Sequence, residues 1–225
     1  MDKKKIVPAF APFFKEHGYK KLGTNKFYKI ENNIAYCFLF ERPSIVVDPR
    51  HFFLPLYVPS YGYLNISHGS SLVEILKNST YSLWDDDSTF EPWVERVENC
   101  IEKMIFPHFE SINTFEKLLK FLGRPKADRG FAQGFVFDVP ELQSYTCLMM
   151  GDVEMASHYL KCMYETLNRS PYQKHIIELH RKRADRLREI INSSREVQEA
   201  FLRDTIRYNK EKYFHIKPKE DQAKP

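Results

Sequence analysis

The sequence predicts an α+β protein in which an antiparallel sheet packed with helices is followed by an all-helical C-terminal half. Two patterns carry this prediction. Before Gly69, runs of β-branched and aromatic residues are separated by turn residues, which is typical of strands and hairpins. After Gly69, apolar residues recur every three or four positions, which is typical of amphipathic helices.

The composition indicates a folded chain with a substantial core. The 225 residues are 43% hydrophobic and 15% aromatic, unlike the polar composition of disordered chains. We assign the aromatic excess first to the core and the sheet faces. We predict an α+β domain over residues 1–122 and a helical region over residues 138–214, either as two domains or packed as one unit. Residues 124–134 combine a proline with two glycines and no clear period, so they are the best linker candidate.

The first predicted element is a helix from Ile6 to His17. Pro8 fits its first turn, Pro12 should kink it, and Gly18 is placed to end it. Its apolar face holds Phe10, Phe13 and Phe14.

A β-hairpin should follow, with strands at Thr24–Glu31 and Ile34–Glu41. The Asn32-Asn33 pair between them tolerates positive φ, which a tight hairpin turn requires. Two further strands are predicted at residues 51–58 and 61–67 from their aromatic and β-branched content.

Two helices are predicted next. The first has Thr89 as its N-cap and is ended by Pro107, and the second begins after Thr114 and ends at Gly123. The expected buried face of the first helix holds Trp93, Val97, Cys100, Ile101, Met104 and Ile105.

Four helices are predicted in the C-terminal half. They span Asp138–Met150, Asp152–Leu167, Pro171–Asn192 and Ser194–Tyr213. Because Gly151 ends the first and Asp152 caps the second, these two should pack as an antiparallel pair.

The sequence lacks the motifs of common catalytic and cofactor-binding sites. It has no glycine-rich phosphate loop, no Gly-x-Gly-x-x-Gly, no His-Glu-x-x-His and no Gly-x-Ser-x-Gly. The four cysteines are far apart, and His175 and His180 would point about 140° apart on a helix, so neither set has metal-ligand spacing. We therefore predict no enzymatic activity, no cofactor and no metal, with an enzyme of unrecognised site as the third interpretation.

An acidic segment is the first candidate binding surface. Residues 85–102 carry seven acids and one base, Arg96. These acids precede and enter a helix, so they suit the positive end of its dipole as well as a partner. The residues assigned to protein binding are Trp84, Asp85, Asp86, Asp87, Glu91 and Tyr61.

A basic segment is the second candidate. The formal net charge of the chain is +4, and residues 169–225 hold 15 Lys and Arg against 9 Asp and Glu. Interleaved acids make a solvated helix face the competing interpretation. The residues assigned to nucleic-acid binding, as the alternative function, are Lys174, Arg181, Lys182, Arg183 and Arg188.

Short motifs in the N-terminal half resemble a known family. Residues 13–21 read FFKEHGYKK, residues 27–29 read FYK, and an aromatic strand runs over residues 34–40. With the helix over residues 93–105 and the motif FPHF that follows it, they resemble the bacterial family called domain of unknown function 4304, over roughly residues 1–122. The resemblance implies an α+β domain in cytosolic bacterial proteins, some of which look like immunity proteins that neutralise toxins. It carries over no catalytic residue.

These observations favour a non-enzymatic, immunity-like protein-binding module. We expect its partner to be another protein, with a second copy of the chain and nucleic acid as alternatives. No segment approaches the ~18 uncharged apolar residues of a membrane span, so we expect a cytoplasmic protein without a membrane partner.

Exposed aromatic side chains should discriminate between the two binding functions. A protein interface is favoured if the following are exposed near the acidic segment: Tyr57, Tyr61, Tyr63, Trp84 and Trp93. Nucleic-acid binding is favoured if the following are exposed beside arginines: Tyr164, Tyr172 and Tyr208.

Overall fold

The structure, a computed structural model, describes residues 6–41, 46–59, 69–72, 81–82, 87–125 and 138–217. These residues form two compact units. The α+β unit contains the described residues up to 54 and from 69 to 125, and the helical unit contains residues 55–59 and 138–217. The predicted fold class is confirmed, since an antiparallel sheet with helices is followed by a mostly helical region.

Helix α1 (Ile6–Glu16) lies against one face of the sheet through its phenylalanines. Phe10 and Phe14 are fully buried, and the ring of Phe14 stacks on that of Phe27 with 4.3 Å between centroids. Gly18, with φ of +78°, lets the chain turn out of the helix as predicted.

The strands of the sheet follow the order of the chain. Across it run β1 (Lys20–Leu22), β2 (Lys26–Glu31), β3 (Ile34–Glu41), β4 (Val46–Pro55) and β5 (Gly69–Ser71), and β6 (Tyr81–Ser82) pairs with the beginning of β4. The short, lysine-containing β1 was not predicted. The strand predicted at residues 51–58 is β4, which begins earlier than predicted and ends at Pro55. The strand predicted at residues 61–67 lies outside the described residues.

The hairpin between β2 and β3 turns at Asn32 and Asn33, as predicted. Their φ angles are 48° and 59°, the conformation that a two-residue turn between twisted strands requires. Phe27 lies opposite Phe38, and its neighbour Tyr28 points to the other face; all three side chains are buried. The hairpin is therefore covered on both faces, as its apolar sequence predicts.

Gly69 allows β5 to approach β4 closely. It lies opposite Phe52 of β4. A β-carbon at this position would stand 2.1 Å from the carbonyl oxygen of His51 and 2.3 Å from Cβ of Phe52. A residue without a side chain is therefore required here.

Pro107 does not end the helical segment that precedes it, and this prediction was wrong. Helix α2 (Phe90–Cys100) continues into a π-helical segment (Ile101–Ile105) and then into α3 (Phe106–Glu110). The N–H of Phe106 donates to the carbonyl of Ile101, five residues back. Pro107 thereby falls in the first turn of α3, where a residue without an N–H is tolerated.

The π-helical segment also corrects the predicted apolar face. Met104 is 44% exposed, because the wider turn rotates it away from the core. Thr89 is not a side-chain cap: it has helical φ and ψ and makes no capping hydrogen bond. The residues of the predicted face that are buried are Trp93, Val97, Cys100, Ile101 and Ile105. Helix α4 (Phe115–Leu122) begins as predicted, since Thr114 accepts a hydrogen bond from the N–H of Lys117.

The helical unit contains α5 (Asp138–Met149), α6 (Val153–Asn168), α7 (Lys174–Ile191) and α8 (Arg195–Phe214). Helix α5 is buried over most of its length and on all sides. Gly151 and Asp152 form the turn to α6, where Asp152 accepts the N–H of Met155 at 3.0 Å. Ser144 of α5 donates to the carbonyl of Ala156 at 2.7 Å, so a buried hydrogen bond joins these two helices.

Residues 55–59 belong to the helical unit, although they fall inside the predicted first domain. Asn209 of α8 donates to the carbonyls of Leu56 at 2.7 Å and Val58 at 2.9 Å. The hydroxyls of Tyr57 and Thr146 are 2.9 Å apart. Side chains of α5 and α8 therefore fix this segment in place.

None of the described helices has the length and apolar character of a membrane span. The longest, α8, has 20 residues and carries charged side chains at every turn.

Candidate functional site

One end of the sheet in the α+β unit forms an open cleft. Lys29 and Glu31 of β2 point to the same face, and Lys29 lies opposite Tyr36 of β3. Helices α1 and α3 cover the rest of this face with phenylalanines, and the cleft opens where that cover ends. Its walls are formed by His17, Tyr19, Lys29, Glu31, Tyr36, Phe106, Phe109 and Glu110.

Aromatic rings form the floor of the cleft. The ring centroid of Phe106 lies 4.7 Å from that of His17 and 5.6 Å from that of Tyr19, with which it is nearly parallel. The rings of Tyr36 and Phe109 are 4.8 Å apart. Tyr19, Tyr36 and Phe109 are buried, whereas His17 and Phe106 are half-buried and reach the opening.

Charged side chains form the rim. Lys29 Nζ lies 2.7 Å from Glu31 Oε1, and both side chains are about 40% exposed. Glu110 is exposed at the end of α3. Lys117 donates to the carbonyl of Glu110 and to Asn113 Oδ1, which holds its ammonium on the turn between α3 and α4. Leaving His17 aside, the described residues of the rim therefore carry two carboxylates and one ammonium.

The tyrosine hydroxyls in the floor remain protonated. Burial raises the pKa of Tyr19 and of Tyr36, and the Glu31 carboxylate raises the pKa of both further. Tyr36 donates to the carbonyl of Ile112 at 3.5 Å. Both hydroxyls therefore act as neutral polar groups at physiological pH.

The cleft has the size of one side chain. Its volume is about 120 Å³. An apolar cavity of about 150 Å³ holds one benzene molecule, whereas pockets for metabolites and cofactors have about 300–1,000 Å³. The cleft therefore encloses a group about as large as a single amino-acid side chain.

The residues predicted to bind a protein are only partly described. Trp84, Asp85, Asp86 and Tyr61 lie outside the described residues, and of Asp87 only the backbone is described, in a short 3-10 turn. Glu91 is exposed in the first turn of α2. Further along the exposed side of α2, a shallow groove of mixed charge is lined by residues that include Glu95, Arg96, Asn99 and Lys103.

Four of the five residues predicted to bind nucleic acid are exposed on α7, namely Lys174, Arg181, Lys182 and Arg188. Three of them have partners within the helical unit: Lys174 with Glu178 at 3.7 Å, Arg181 with Asn168 at 2.9 Å, and Arg188 with Asp185 at 3.1 Å.

Arg183 does not lie on that surface, and its assignment is corrected. Its side chain is buried, and its Nε donates to Glu141 Oε1 at 3.0 Å while a terminal nitrogen contacts Oε2. The other terminal nitrogen donates to His180 Nδ1 at 3.2 Å. Arg183 therefore joins α7 to α5 and is withdrawn from any phosphate contact.

The partners of Arg183 form a buried cluster with metal-ligand chemistry. Asp138, Glu141 and His180 each offer one ligand atom, and these atoms lie within 4.8 Å of one another. The guanidinium already stands among them, 3.7 Å from Asp138 Oδ1. Burial and then the Arg183 charge lower the pKa of His180 to about 4, so its neutral Nδ1 accepts the hydrogen bond. Burial raises the pKa of Glu141, and Arg183 opposes that shift. The cluster is an ion-pair network in which Arg183 supplies the cation.

The aromatic residues that should discriminate between the two binding functions differ in their exposure. Tyr57 and Trp93 are buried, whereas Tyr61, Tyr63 and Trp84 lie outside the described residues. In the helical unit, Tyr172 and Tyr208 are exposed. The Arg188 guanidinium lies 5.8 Å from the centroid of the half-buried Tyr164 ring, whose hydroxyl donates to Asp185 at 2.6 Å. The exposed rings that are described near basic groups are therefore on the helical unit.

The aromatic cleft was not predicted, because its residues come from the turn between α1 and β1, from β2 and β3, and from α3, and share no local motif. The available signal was the density of rings in residues 13–40 and 106–109. Comparison with protein-family models, with curated proteins and with solved structures finds no match to this chain.

Proposed function

We propose that this protein is a protein-binding domain whose aromatic cleft receives one side chain of a partner protein. The observation that carries the proposal is an open cleft of about 120 Å³ with an aromatic floor and a charged rim. Protein interfaces concentrate their binding energy in a few anchor residues that fill such pockets, while the surrounding polar contacts exclude water.

The floor and the rim of the cleft would make different contacts with a bound side chain. The half-buried rings of Phe106 and His17 offer apolar area that an inserted side chain would cover. The rim groups Lys29, Glu31 and Glu110 remain in contact with water and can pair with polar groups around the anchor. Glu91, in the first turn of α2, is a further exposed acid of the same unit.

The proposal agrees with the resemblance to domain of unknown function 4304 and with the immunity-like role that it implies. In that role the partner would be a toxin or another cytoplasmic protein, and binding without catalysis would be sufficient for neutralisation.

A cleft-blocking variant tests the proposal. Glu110→Trp places a large ring at the rim, and Glu165→Trp, at another exposed glutamate, on α6, is the matched control. Proteins of the native host that bind the full chain stoichiometrically are identified, and their affinities for wild type and both variants are measured by calorimetry.

We expect Glu110→Trp to weaken the partner's binding at least about tenfold, the scale of one buried anchor, and Glu165→Trp to leave it unchanged. A partner that binds Glu110→Trp as tightly as wild type, or the absence of any stoichiometric partner, would overturn the proposal.

Nucleic-acid binding by α7 is the second candidate. The observation that favours it is the exposure of Arg181, Lys182 and Arg188 on the helix that also places Arg188 over Tyr164. Fluorescence anisotropy with single-stranded RNA and DNA at low salt tests it, because counterion release then favours binding. No detectable binding, or binding that Lys182→Glu leaves unchanged, would remove this candidate.

A further inference from the structure

We infer that the side chain received by the aromatic cleft is that of an arginine of the partner. This inference rests on the proposed function and adds the chemistry of the bound group. It combines two independent features of the cleft, the charge of its rim and the half-buried aromatic rings at its opening.

The rim has more negative than positive charge. Among the described lining residues, the one ammonium is that of Lys29, which is bound to Glu31 at 2.7 Å, while the carboxylate of Glu110 is exposed. The Lys117 ammonium is held by Asn113 and by the carbonyl of Glu110, outside the residues that line the cleft. An incoming cation therefore meets a net negative rim, whereas an incoming carboxylate would be repelled.

The floor brings half-buried aromatic rings to the opening of the cleft. Phe106 lies nearly parallel to Tyr19 at 5.6 Å and to Phe13 at 5.8 Å, and the part of its ring that stays exposed lies at the opening. Cations are attracted to aromatic faces within about 6 Å of the centroid, and arginine is found in such contacts more often than lysine. The planar guanidinium can stack on a ring while its N–H groups bind a carboxylate.

An uncharged anchor fits the same space less well. An apolar side chain seated between Glu31 and Glu110 would remove water from carboxylates without replacing its hydrogen bonds. A guanidinium replaces those bonds with its own donors and adds the attraction between opposite charges.

Titration with amino-acid derivatives tests the inference on the full chain. The probes are the N-acetyl methylamides of arginine, of its uncharged isostere citrulline, and of lysine, norleucine, phenylalanine and glutamate. Binding is followed by nuclear magnetic resonance through the backbone amides of Tyr19, Lys29, Glu31 and Phe106. We expect the arginine derivative to bind about five- to tenfold more tightly than citrulline, the combined effect of the ring contact and the ion pair.

Two variants of the rim should change that affinity in opposite directions, which a general loss of structure cannot do. Glu31→Gln should weaken arginine binding about two- to fivefold, because it removes one carboxylate and releases the Lys29 ammonium. Lys29→Gln should strengthen it by a similar factor. Lys161→Gln, at an exposed position on α6, is the control and should have no effect.

Citrulline, norleucine or phenylalanine binding as tightly as arginine would overturn the inference and leave the proposed function standing, since the cleft would still receive a side chain. If no derivative changes the chemical shifts of these backbone amides, the inference is also overturned. The comparison of partner binding by wild type and Glu110→Trp then decides the proposed function separately.

Discussion

Arg183 of α7 and Glu141 of α5 form a buried ion pair in which two guanidinium nitrogens face the two carboxylate oxygens. The Nε to Oε1 distance is 3.0 Å, and both side chains are at least nine-tenths buried. Asp138 and His180 surround the pair. The contact links residues 42 positions apart and so orients two helices of the helical unit relative to each other.

Removing Arg183 should destabilise the helical unit strongly. Arg183→Ala leaves the Glu141 carboxylate buried without its cation, and we expect a loss of about 3–5 kcal/mol in the free energy of unfolding. Urea denaturation followed by circular dichroism measures the change. Lys182→Ala, the exposed neighbour, is the control and should stay within about 0.5 kcal/mol of wild type. The double variant Glu141→Leu with Arg183→Met should recover most of the loss; if it is less stable than Arg183→Ala, the pair is not the cause.

Acid should destabilise both units through histidines whose pKa is lowered by burial or partial burial. Burial and then His108 lower the pKa of His51 to about 3, burial and then Arg124 lower the pKa of His108 to about 4, and the pKa of His180 is about 4. Below pH 6.5 the unfolded chain takes up protons that the folded chain cannot. Stability is therefore fully present above pH 6.5 and is lost as the pH falls towards 4, by about 1.4 kcal/mol per pH unit for each histidine.

Denaturation at pH 7, 6, 5 and 4.5 measures this slope. His180→Gln should reduce it in the helical unit, while the exposed His175→Gln serves as the matched control. In the helical unit the raised pKa of Glu141 acts in the opposite direction, so the test there is the difference in slope between wild type and His180→Gln. Equal slopes for these two proteins, or a stability of the α+β unit that stays constant over this range, would contradict the prediction.

Gly69 should not tolerate a side chain. In Gly69→Ala the new carbon would meet the His51 carbonyl and the Phe52 side chain, and we expect a loss of about 1–3 kcal/mol. The comparison is Gly123→Ala, because Gly123 has an ordinary helical φ of −73° and a β-carbon there would make ordinary van der Waals contacts, at 3.5 Å or more. That variant should be neutral or more stable by up to about 1 kcal/mol. Thermal unfolding of both proteins is the measurement, and equal melting temperatures would contradict the close approach of β5 to β4.

The Asp152 cap should stabilise α6. Asp152→Ala removes the acceptor for the N–H of Met155 and a negative charge at the helix N-terminus, and we expect a loss of about 1 kcal/mol. Ser194→Ala, at the start of α8, should cost less, since Ser194 makes no capping hydrogen bond to the helix backbone. Chemical denaturation of the two variants compares them, and a larger effect for Ser194 would refute this ranking.

Elements with local signals were predictable from the sequence. The turn at Asn32 and Asn33, the end of α1 at Gly18 and the caps at Thr114 and Asp152 depend on backbone conformations or hydrogen bonds within a few residues. The prediction that a helix ends at Pro107 was wrong. Pro107 indicated a helix end, but a π-helical turn before it provides the geometry that a proline needs.

The candidate site could not be predicted, because it depends on which distant segments meet. Lys29, Glu31 and Glu110 look like ordinary surface residues until β2 and α3 are brought to one end of the sheet. The burial of Arg183, in contrast, could have been predicted from the sequence. His180 and Arg183 continue the helical spacing of Ala184, Leu187 and Ile191, all of which are buried. That spacing was visible in the sequence and would have placed Arg183 on the inner face of α7.

The geometry of the aromatic cleft depends on the number of residues in the π-helical segment that precedes α3. Each residue of a helix advances the direction of the side chains by about 100°, so deleting one residue from 101–105 would rotate the whole of α3 relative to α2. Phe106, Phe109 and Glu110 would then leave the cleft together, although none of them had been replaced. Among related chains, an insertion or deletion in these five positions would therefore mark the loss of the site more reliably than any single substitution.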